Sequence, residues 1–365
     1  MSIFNEKEEQ YLTQLGVDII PEERNYWFIR TQGGEYYNDF VNEGFVGIEW
    51  DEISNINLIN SKSENDLKIE AIKYYPKYEK PGYIVNSILR FAHDIKKGDV
   101  VLIPSVSSKW FSIGEILEDE MFIYDEDEDE SDNNRFVELL DSMQEDNNDI
   151  KKQIIKKRRK VKWIKQVKRE ELDPYLYGII YSHGAISPAN KYATYIDRAL
   201  SHFYIKGEEA YFTYQVNKKQ NIPYSDMFEF LSANNDIIKF INKYIQNDEL
   251  ILNDLILKIN VQSKGPLQLK GTVYKVLVYG LVITGLFGAD MSFKAFDCEM
   301  SISTKGLPAL LTEVNTLLNK EDINKVKNEL NKSKEKLEIS LPEVKIVDEH
   351  AKQSRSAEAE VKKIN

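Results

Sequence analysis

The stretch YWFIRTQGGEYYNDFVNEGFVGIEWD, residues 26–51, decides how the first half of the chain is interpreted. An apolar and aromatic run at residues 26–29 is typical of a buried strand, and it ends on Arg30. Two adjacent glycines then indicate a turn, residues 35–42 carry apolar side chains at helical spacing, and residues 45–50 alternate like a second strand. The stretch therefore predicts a compact strand–helix–strand unit, which contains two of the chain's four tryptophans.

The composition is that of a folded, acidic protein. The chain has 365 residues, which is enough for two domains. Of these residues, 42% are hydrophobic and 30% are charged. A net charge of -12 argues against a surface that is basic throughout, although a local basic stripe could still bind nucleic acid. The single cysteine, Cys298, excludes an intramolecular disulfide and a cysteine-rich zinc site. The first residues lack the pattern of a signal peptide, so we expect a cytoplasmic protein.

Outside the opening stretch, the N-terminal half alternates helical and strand patterns. Residues 1–22 predict a short helix, and residues 67–95 predict two helices separated by a proline-flanked break. Residues 100–104 and 110–116 predict a pair of buried strands. Residues 159–164 alternate charged and apolar side chains, so this strand should contact the core on one face and turn its lysines and arginines to solvent. The acidic insert at residues 118–149 is expected to be a solvated loop.

Five segments in this half occur in an order that resembles a known family. They are residues 30–37, 44–50, 95–104, 113–116 and 159–164, and together they resemble the PUA/EVE-like β-barrel at the N-terminus of many bacterial restriction-like and phage-defence proteins. The resemblance covers the domain at residues 23–172 and is interrupted by the acidic insert. It implies an aromatic-lined pocket that binds a modified base or structured nucleic acid. By position, the ligand-binding residues would be Trp27, Arg30, Trp50 and Trp110.

The same four residues have a plain structural interpretation. Aromatic side chains on barrel strands often belong to the core rather than to a ligand pocket. An arginine at the end of so apolar a strand needs a partner, and a carboxylate from Glu35 or Glu49 would satisfy it without any ligand.

The C-terminal half predicts a smaller α+β domain at residues 173–260. Residues 175–181 have the composition of a strand, residues 188–203 of a helix, and residues 203–216 of a hairpin around a glycine turn. Residues 261–345 predict an apolar segment, strands at 291–303 and an amphipathic helical region at 307–337. The tail at residues 346–365 is polar and is expected to be disordered.

The apolar segment at residues 276–289 carries no charge and leaves two alternatives open. A membrane-spanning helix needs about 20 apolar residues, more than this segment offers. Its three glycines suit close packing of helices in a membrane, whereas its valine and isoleucine content suits a buried core element equally well.

No catalytic or metal-binding set can be assembled from the sequence. Ser182 and His183 are adjacent, but no nucleophile-elbow pattern surrounds either Ser182 or Ser187. The four histidines show no metal-binding spacing. We therefore predict no catalytic residue, cofactor or metal, and an enzyme is the third-ranked hypothesis.

The sequence thus predicts an α+β protein whose N-terminal PUA/EVE-like β-barrel has flanking helices and binds a nucleic acid or modified nucleotide, as a sensor in bacterial phage defence. The alternative is a membrane-associated effector in which the N-terminal domain gates insertion of the 276–289 segment. The ligand's identity, the oligomeric state and the protein partners are left open by the sequence.

Overall fold

A computed structural model describes residues 3–125, 154–259, 264–287 and 306–342. Contacts divide the chain into two compact units. The first is formed by the described part of Glu23–Leu200 and is called the 23–200 unit. The second combines the described parts of Met1–Glu22 and Ser201–Asn365 and is called the terminal unit.

The helices and strands of both units are as follows, in chain order. The helices are α1 (Glu6–Gln14), α2 (Tyr37–Glu43), α3 (Ile56–Asn60), α4 (Glu64–Tyr74), α5 (Pro81–Leu89), α6 (Ala193–Leu200), α7 (Tyr224–Tyr244), α8 (Val273–Phe287), α9 (Leu307–Leu318) and α10 (Ile323–Lys336). The strands are β1 (Asp18–Ile20), β2 (Tyr26–Ile29), β3 (Phe45–Ile48), β4 (Val100–Pro104), β5 (Trp110–Ile116), β6 (Phe122–Ile123), β7 (Lys157–Lys168), β8 (Ile186–Pro188), β9 (Phe203–Lys206), β10 (Glu209–Val216), β11 (Ile256–Ile259), β12 (Gly265–Thr272) and β13 (Ile339–Ser340).

The opening stretch folds as its sequence predicts, into strand β2, helix α2 and strand β3. Helix α2 ends at Gly44, which adopts the left-handed conformation (φ 71°) that a glycine takes without steric cost. The chain then turns directly into β3, whose four residues are all buried. The short connection explains how two strands and a helix fit into so few residues.

The 23–200 unit is built on a mixed sheet that curls into a half-barrel. Its strand order is β3-β7-β5-β4-β2-β8, with β6 beside β7. All neighbours are antiparallel except β2 and β4, which run parallel. The predicted mixed α+β class is confirmed, as are the predicted strands at 100–104, 110–116 and 159–164.

Both faces of this sheet are covered, as the alternation of side chains along a strand requires. In β4, Val101 and Ile103 join the core under helices α2 to α5. Val100 and Leu102 point to the opposite face, where they join a second core with residues from 172 to 196. The half-barrel is therefore the middle layer of this unit.

Residues 173–200 complete the 23–200 unit, so the boundary expected at residue 173 falls inside it. Strand β8 pairs with β2 and extends the sheet. The predicted strand at 175–181 is wrong, because Pro174–Tyr181 forms a 3-10 helix. Pro174 in its first turn and the Asp173 carboxylate, which accepts from Tyr175 N at 2.9 Å, favour this helical start.

Strand β7 departs from its predicted alternation at one end. Lys160 and Lys162 are exposed and Val161 is buried, as the period of two requires. Lys157, Arg158 and Arg159 are nevertheless buried, so the expectation that every basic side chain of this strand faces solvent is wrong. The hydrogen bonds of their side chains account for the difference and are described below.

The terminal unit contains the second sheet, with strand order β1-β9-β10-β12-β11 and with β13 beside β10. The predicted hairpin at 203–216 is confirmed as β9 and β10, joined at Gly207 (φ 58°). The helical stretch expected at 307–337 comprises α9 and α10. The predictions for residues 291–303 and 346–365, and for residues 126–149 of the acidic insert, lie outside the described residues.

The apolar segment forms the greater part of α8, which is a core helix of the terminal unit. Eleven of its residues are buried, on every side of the helix. A helix that is apolar all round is buried in a protein core or in a membrane. Among the ranges that the structure describes, no helix has the length and apolar character needed to cross a membrane.

Candidate functional site

A cavity of about 230 Å³ lies in the 23–200 unit where strands β2 and β3 end. Its buried wall is aromatic and apolar, and its exposed rim is polar. The lining residues are Arg30, Gln32, Tyr36, Phe40, Gly47, Ile48, Glu49, Trp50, Tyr78, Tyr83, Ile155, His183 and Ala185. Most of the lining comes from the opening stretch of sequence. The remainder is Tyr78 before α5, Tyr83 in α5, Ile155 two residues before β7, and residues 183 and 185.

Arg30 follows β2 and stands exposed at the rim. Its guanidinium donates to the backbone carbonyls of Ser182, from Nε at 2.9 Å and also from a terminal nitrogen, and of Ile180 at 3.3 Å. Its own backbone N–H donates to Ala185 O at 2.9 Å. Arg30 therefore holds the segment that carries His183, and its partners are carbonyl groups rather than the carboxylates considered from the sequence.

Trp50 forms part of the buried wall. Its ring meets the ring of Tyr83 edge to face, with centroids 5.9 Å apart. The Tyr83 hydroxyl accepts from Ala185 N at 2.8 Å and donates to His183 O at 3.4 Å. One aromatic pair thus joins α5 to the segment that Arg30 holds from the other side.

A buried ion pair fixes the backbone behind Trp50. Lys157 Nζ donates to Trp50 O at 2.8 Å and to Asp51 Oδ1 at 3.3 Å. The same carboxylate oxygen accepts from Lys156 N at 2.9 Å. Burial lowers the pKa of Lys157, and the Asp51 charge opposes that change.

Two residues of the lining have a backbone conformation that residues other than glycine rarely adopt. Gln32 has φ 48° and Trp50 has φ 67°. Such left-handed residues cost about 1–3 kcal/mol each and cluster at functional sites, where the surrounding structure holds them in place. Here the Lys157 ammonium provides that restraint for Trp50.

The other two sequence-predicted residues lie away from the cavity. Trp27 is buried, and its Nε1 donates to Asp99 Oδ2 at 2.8 Å. Trp110 begins β5 with 37% of its surface exposed, and Lys168 Nζ lies 5.3 Å from its ring centroid. The structure therefore brings Arg30 and Trp50 together and places Trp27 and Trp110 outside this site.

Sequence reasoning missed several residues of the wall, chiefly Tyr36, Tyr78 and Tyr83. Tyr36 is buried and stacks on Phe40 with centroids 6.1 Å apart. Burial, reinforced by nearby acidic groups that include Glu35 and Glu49, raises its pKa to about 12. Its hydroxyl is consequently protonated at neutral pH and able to donate a hydrogen bond.

Glu49 is the acidic residue of the lining. It follows β3 and is half-buried, and within the described ranges its carboxylate has no hydrogen-bond or ion-pair partner. The sequence signal was the single charge in the run FVGIEW at residues 45–50. From the sequence, Glu35 and Glu49 were the two carboxylates that could pair with Arg30, but the Arg30 guanidinium donates to backbone carbonyls instead.

Two observations concern the serine, histidine and acidic side chains that the sequence analysis considered. Ser182 Oγ is hydrogen-bonded to Ser187 Oγ rather than held by His183. In the part of the chain that the structure describes, no group of three or more His, Cys, Asp or Glu side chains could hold a metal ion.

Comparison with known proteins gives one match. Residues 27–183 match a domain of unknown function (DUF8426). This segment includes β2 from its second residue, strands β3 to β7, and all the lining residues except Ala185. No curated protein and no solved structure matches the chain. The match delimits a domain and names no activity.

Proposed function

We propose that the 23–200 unit is a PUA/EVE-like module that binds the base of a nucleic acid or modified nucleotide in the cavity beside Arg30 and Trp50. The observation that carries this proposal is the combination of a buried aromatic wall with a polar, exposed rim in one small cavity. Its volume of about 230 Å³ lies below the roughly 300–1,000 Å³ of pockets for drug-sized ligands. A single planar ring system suits that size.

The wall and the rim match the two parts of a nucleotide. Trp50, Tyr36 and Tyr83 offer ring faces and edges, and stacking of a base on an aromatic ring is worth about 1–3 kcal/mol. Arg30 at the rim carries a permanent charge on a planar group, which suits a phosphate outside the cavity. Enzymes that act on bases extrude the base into such pockets, and recognition can use the same geometry.

A second hollow in the same unit is a poorer candidate. It measures about 430 Å³, and its lining includes Glu52 and Glu70 with Tyr74 as the aromatic residue. Two carboxylates and no basic group would repel a phosphate. The cavity beside Arg30 therefore supports nucleotide binding better.

The sequence resemblance to domains of phage-defence proteins supports a sensing role in that setting. In this role the 23–200 unit recognises the ligand, and the rest of the chain produces the response to binding.

Tyr78 allows a direct test because it lines the cavity and is 48% exposed, so its removal should spare the core. In fluorescence anisotropy with labelled mixed-sequence single-stranded DNA and RNA, Tyr78→Ala should weaken binding by about tenfold. Tyr175→Ala is the matched control, since this tyrosine is 68% exposed in the same unit and lies outside the cavity. Failure of the wild type to bind either probe, or equal losses in both variants, would reject the proposal.

A further inference from the structure

The unpartnered carboxylate of Glu49 determines which ligand groups the cavity can accept. Glu49 is half-buried in the lining, and within the described ranges no side chain or backbone group donates to it. Arg30, the arginine of the lining, donates from Nε and Nη2 to the carbonyls of Ile180 and Ser182 rather than to Glu49. Taking a carboxylate out of water without donors is costly, so a ligand that fills this cavity must supply hydrogen-bond donors, which on a base are N–H groups.

The five common bases differ in which hydrogen-bond donors they can offer a carboxylate. An ionised carboxylate has two oxygens and only accepts hydrogen bonds. Guanine presents two adjacent donors, N1–H and the N2 amine, which can meet both oxygens at once. In adenine and cytosine the amine stands beside a ring-nitrogen acceptor, and in uracil and thymine the N3–H lies between two carbonyls. With those four bases the second carboxylate oxygen faces another acceptor.

We infer that the cavity selects guanine, with the two Glu49 oxygens accepting hydrogen bonds from N1–H and the N2 amine. The inference rests on the proposed function, since it names the base that the same cavity binds. Nε and Nη2 of Arg30 hold the backbone carbonyls, but within the described ranges Nη1 has no hydrogen-bond partner and can donate to a phosphate at the rim. The acidic and basic residues of the lining would then contact opposite ends of one nucleotide. Tyr36, whose hydroxyl stays protonated, can donate to an acceptor on the ligand but cannot replace Glu49 as an acceptor-only group.

The base could belong to a free nucleotide or to a strand, and the probes must separate these sources. Calorimetry of the full chain with GMP, AMP, CMP and UMP measures recognition of the free nucleotide. A single-stranded oligothymidine with one central guanine, compared with the same strand carrying one central adenine, measures recognition within nucleic acid. We expect GMP or the guanine strand to bind about tenfold more tightly than its counterparts, because each competitor leaves one oxygen facing an acceptor.

Glu49→Gln changes one acceptor oxygen into a donor while keeping the size of the side chain. A glutamine amide pairs with an edge that has one donor and one acceptor, as adenine has. The variant should therefore lose the guanine preference by about tenfold and bind AMP or the adenine strand more tightly than the wild type does. Glu35→Gln makes the same chemical change at an exposed neighbour outside the lining, and the guanine preference should survive it.

The outcomes separate this inference from the proposed function. Binding of nucleotides or strands without preference for guanine, or a preference that Glu49→Gln leaves intact, would overturn the guanine assignment alone. Absence of binding to every probe would overturn the proposed function together with it. A reversal of preference in Glu49→Gln, with the melting temperatures of both variants unchanged, would support both.

Discussion

At the scale of single residues, Arg159 shows how a strand of basic residues can belong to a core. Its side chain is fully buried and donates to four backbone carbonyls. Two belong to the π-helical turn Arg90–Asp94, Phe91 O and Ala92 O, each at 2.7 Å. The others follow β5, Glu118 O at 3.2 Å and Asp119 O at 3.0 Å. Only the planar guanidinium has enough donors in a fixed geometry for this arrangement.

Replacing Arg159 should therefore destabilise the 23–200 unit far more than replacing its neighbour. Arg159→Met leaves four buried or part-buried carbonyls without a donor and should lower the free energy of unfolding by about 3 kcal/mol or more. Lys160→Met removes an exposed ion pair with Glu118 and should change it by less than about 1 kcal/mol. Urea unfolding followed by circular dichroism gives both values. Equal small effects would show that the hydrogen bonds of Arg159 do not stabilise this unit.

The burial of Arg159 could not be predicted from the sequence, because alternation with a period of two describes a strand with one face exposed to solvent. In β7 the residues before Lys160 are instead enclosed by β3, β6 and the turn after β5. For Arg30 the need for a partner was recognised, but its partners proved to be backbone carbonyls about 150 residues away in sequence. Backbone carbonyls occur at every residue, so the pattern of side chains in the sequence does not indicate which of them will pair with Arg30.

At the scale of elements, helix α8 combines a strong sequence signal with an ambiguous meaning. Its apolar run would suit either a protein core or a bilayer. The surroundings of Gly280 show that this helix packs closely against other elements of the protein. A Cβ on Gly280 would lie 2.7 Å from Phe203 Cε1 and 2.8 Å from Phe212 Cδ2. The helix thus approaches the β9–β10 hairpin as closely as a glycine permits.

Gly280→Ala and Gly82→Ala should accordingly have opposite effects on stability. Alanine is the better helix former by about 1 kcal/mol, but at Gly280 two aromatic rings must move, which typically costs about 1–3 kcal/mol. At Gly82 in α5 the nearest atom to a new Cβ is Lys68 Cε at 4.0 Å, so no neighbour has to move. The higher helix propensity of alanine should therefore stabilise the Gly82→Ala variant. Thermal melts of both variants test this, and stabilisation by Gly280→Ala would contradict the close packing of α8.

Three elements of the terminal unit also share a fully enclosed polar network. The hydroxyls of Tyr214 in β10 and Tyr279 in α8 lie 2.8 Å and 2.5 Å from Asn234 Oδ1 in α7, and 2.7 Å from each other. Asn234 Nδ2 donates to Phe230 O at 2.7 Å. Burial raises the pKa of both tyrosines above the ordinary value of 10.

This network predicts a loss of stability at high pH. Above pH 10 the unfolded chain releases tyrosine protons that the folded chain retains, so the free energy of unfolding falls as pH rises from 10 upward. Below pH 10 both states keep these protons, and the contribution is constant. Tyr279→Phe removes one titrating group, and its unfolding free energy should fall less steeply in this range. Parallel curves for wild type and variant in urea titrations would contradict the assignment.

At the scale of the whole molecule, the elements were easier to predict than their connections. Strands β2 to β5, β7 and the β9–β10 hairpin follow from local patterns of apolar side chains and turn residues, although the buried basic residues at the start of β7 break the expected alternation. The pairing of β8 with β2 joins residues 186–188 to residues 27–29, and no local pattern encodes it. The expected domain start at residue 173 consequently fell inside the 23–200 unit.

In the candidate site, too, some residues could be predicted from one local stretch of sequence and others could not. The stretch that opened the sequence analysis supplies Arg30, Gln32, Tyr36, Phe40, Glu49 and Trp50 to one cavity. Tyr78, Tyr83 and His183 come from elements that only the folded sheet and helices bring near. Trp27 and Trp110 resembled pocket residues by type, but a strand's side chains alternate between its faces and only the fold determines which residues meet.

The most direct test of base recognition in this cavity is to locate bound nucleic acid on the full chain. Mixed-sequence single-stranded oligonucleotides would be cross-linked to the protein by ultraviolet light, and the modified residues identified by mass spectrometry after digestion. Base binding in the cavity predicts cross-links at its aromatic residues, chiefly Trp50, Tyr78 and Tyr83. Cross-links concentrated at Trp110, which is exposed beside Lys168, with none at the cavity residues would contradict it.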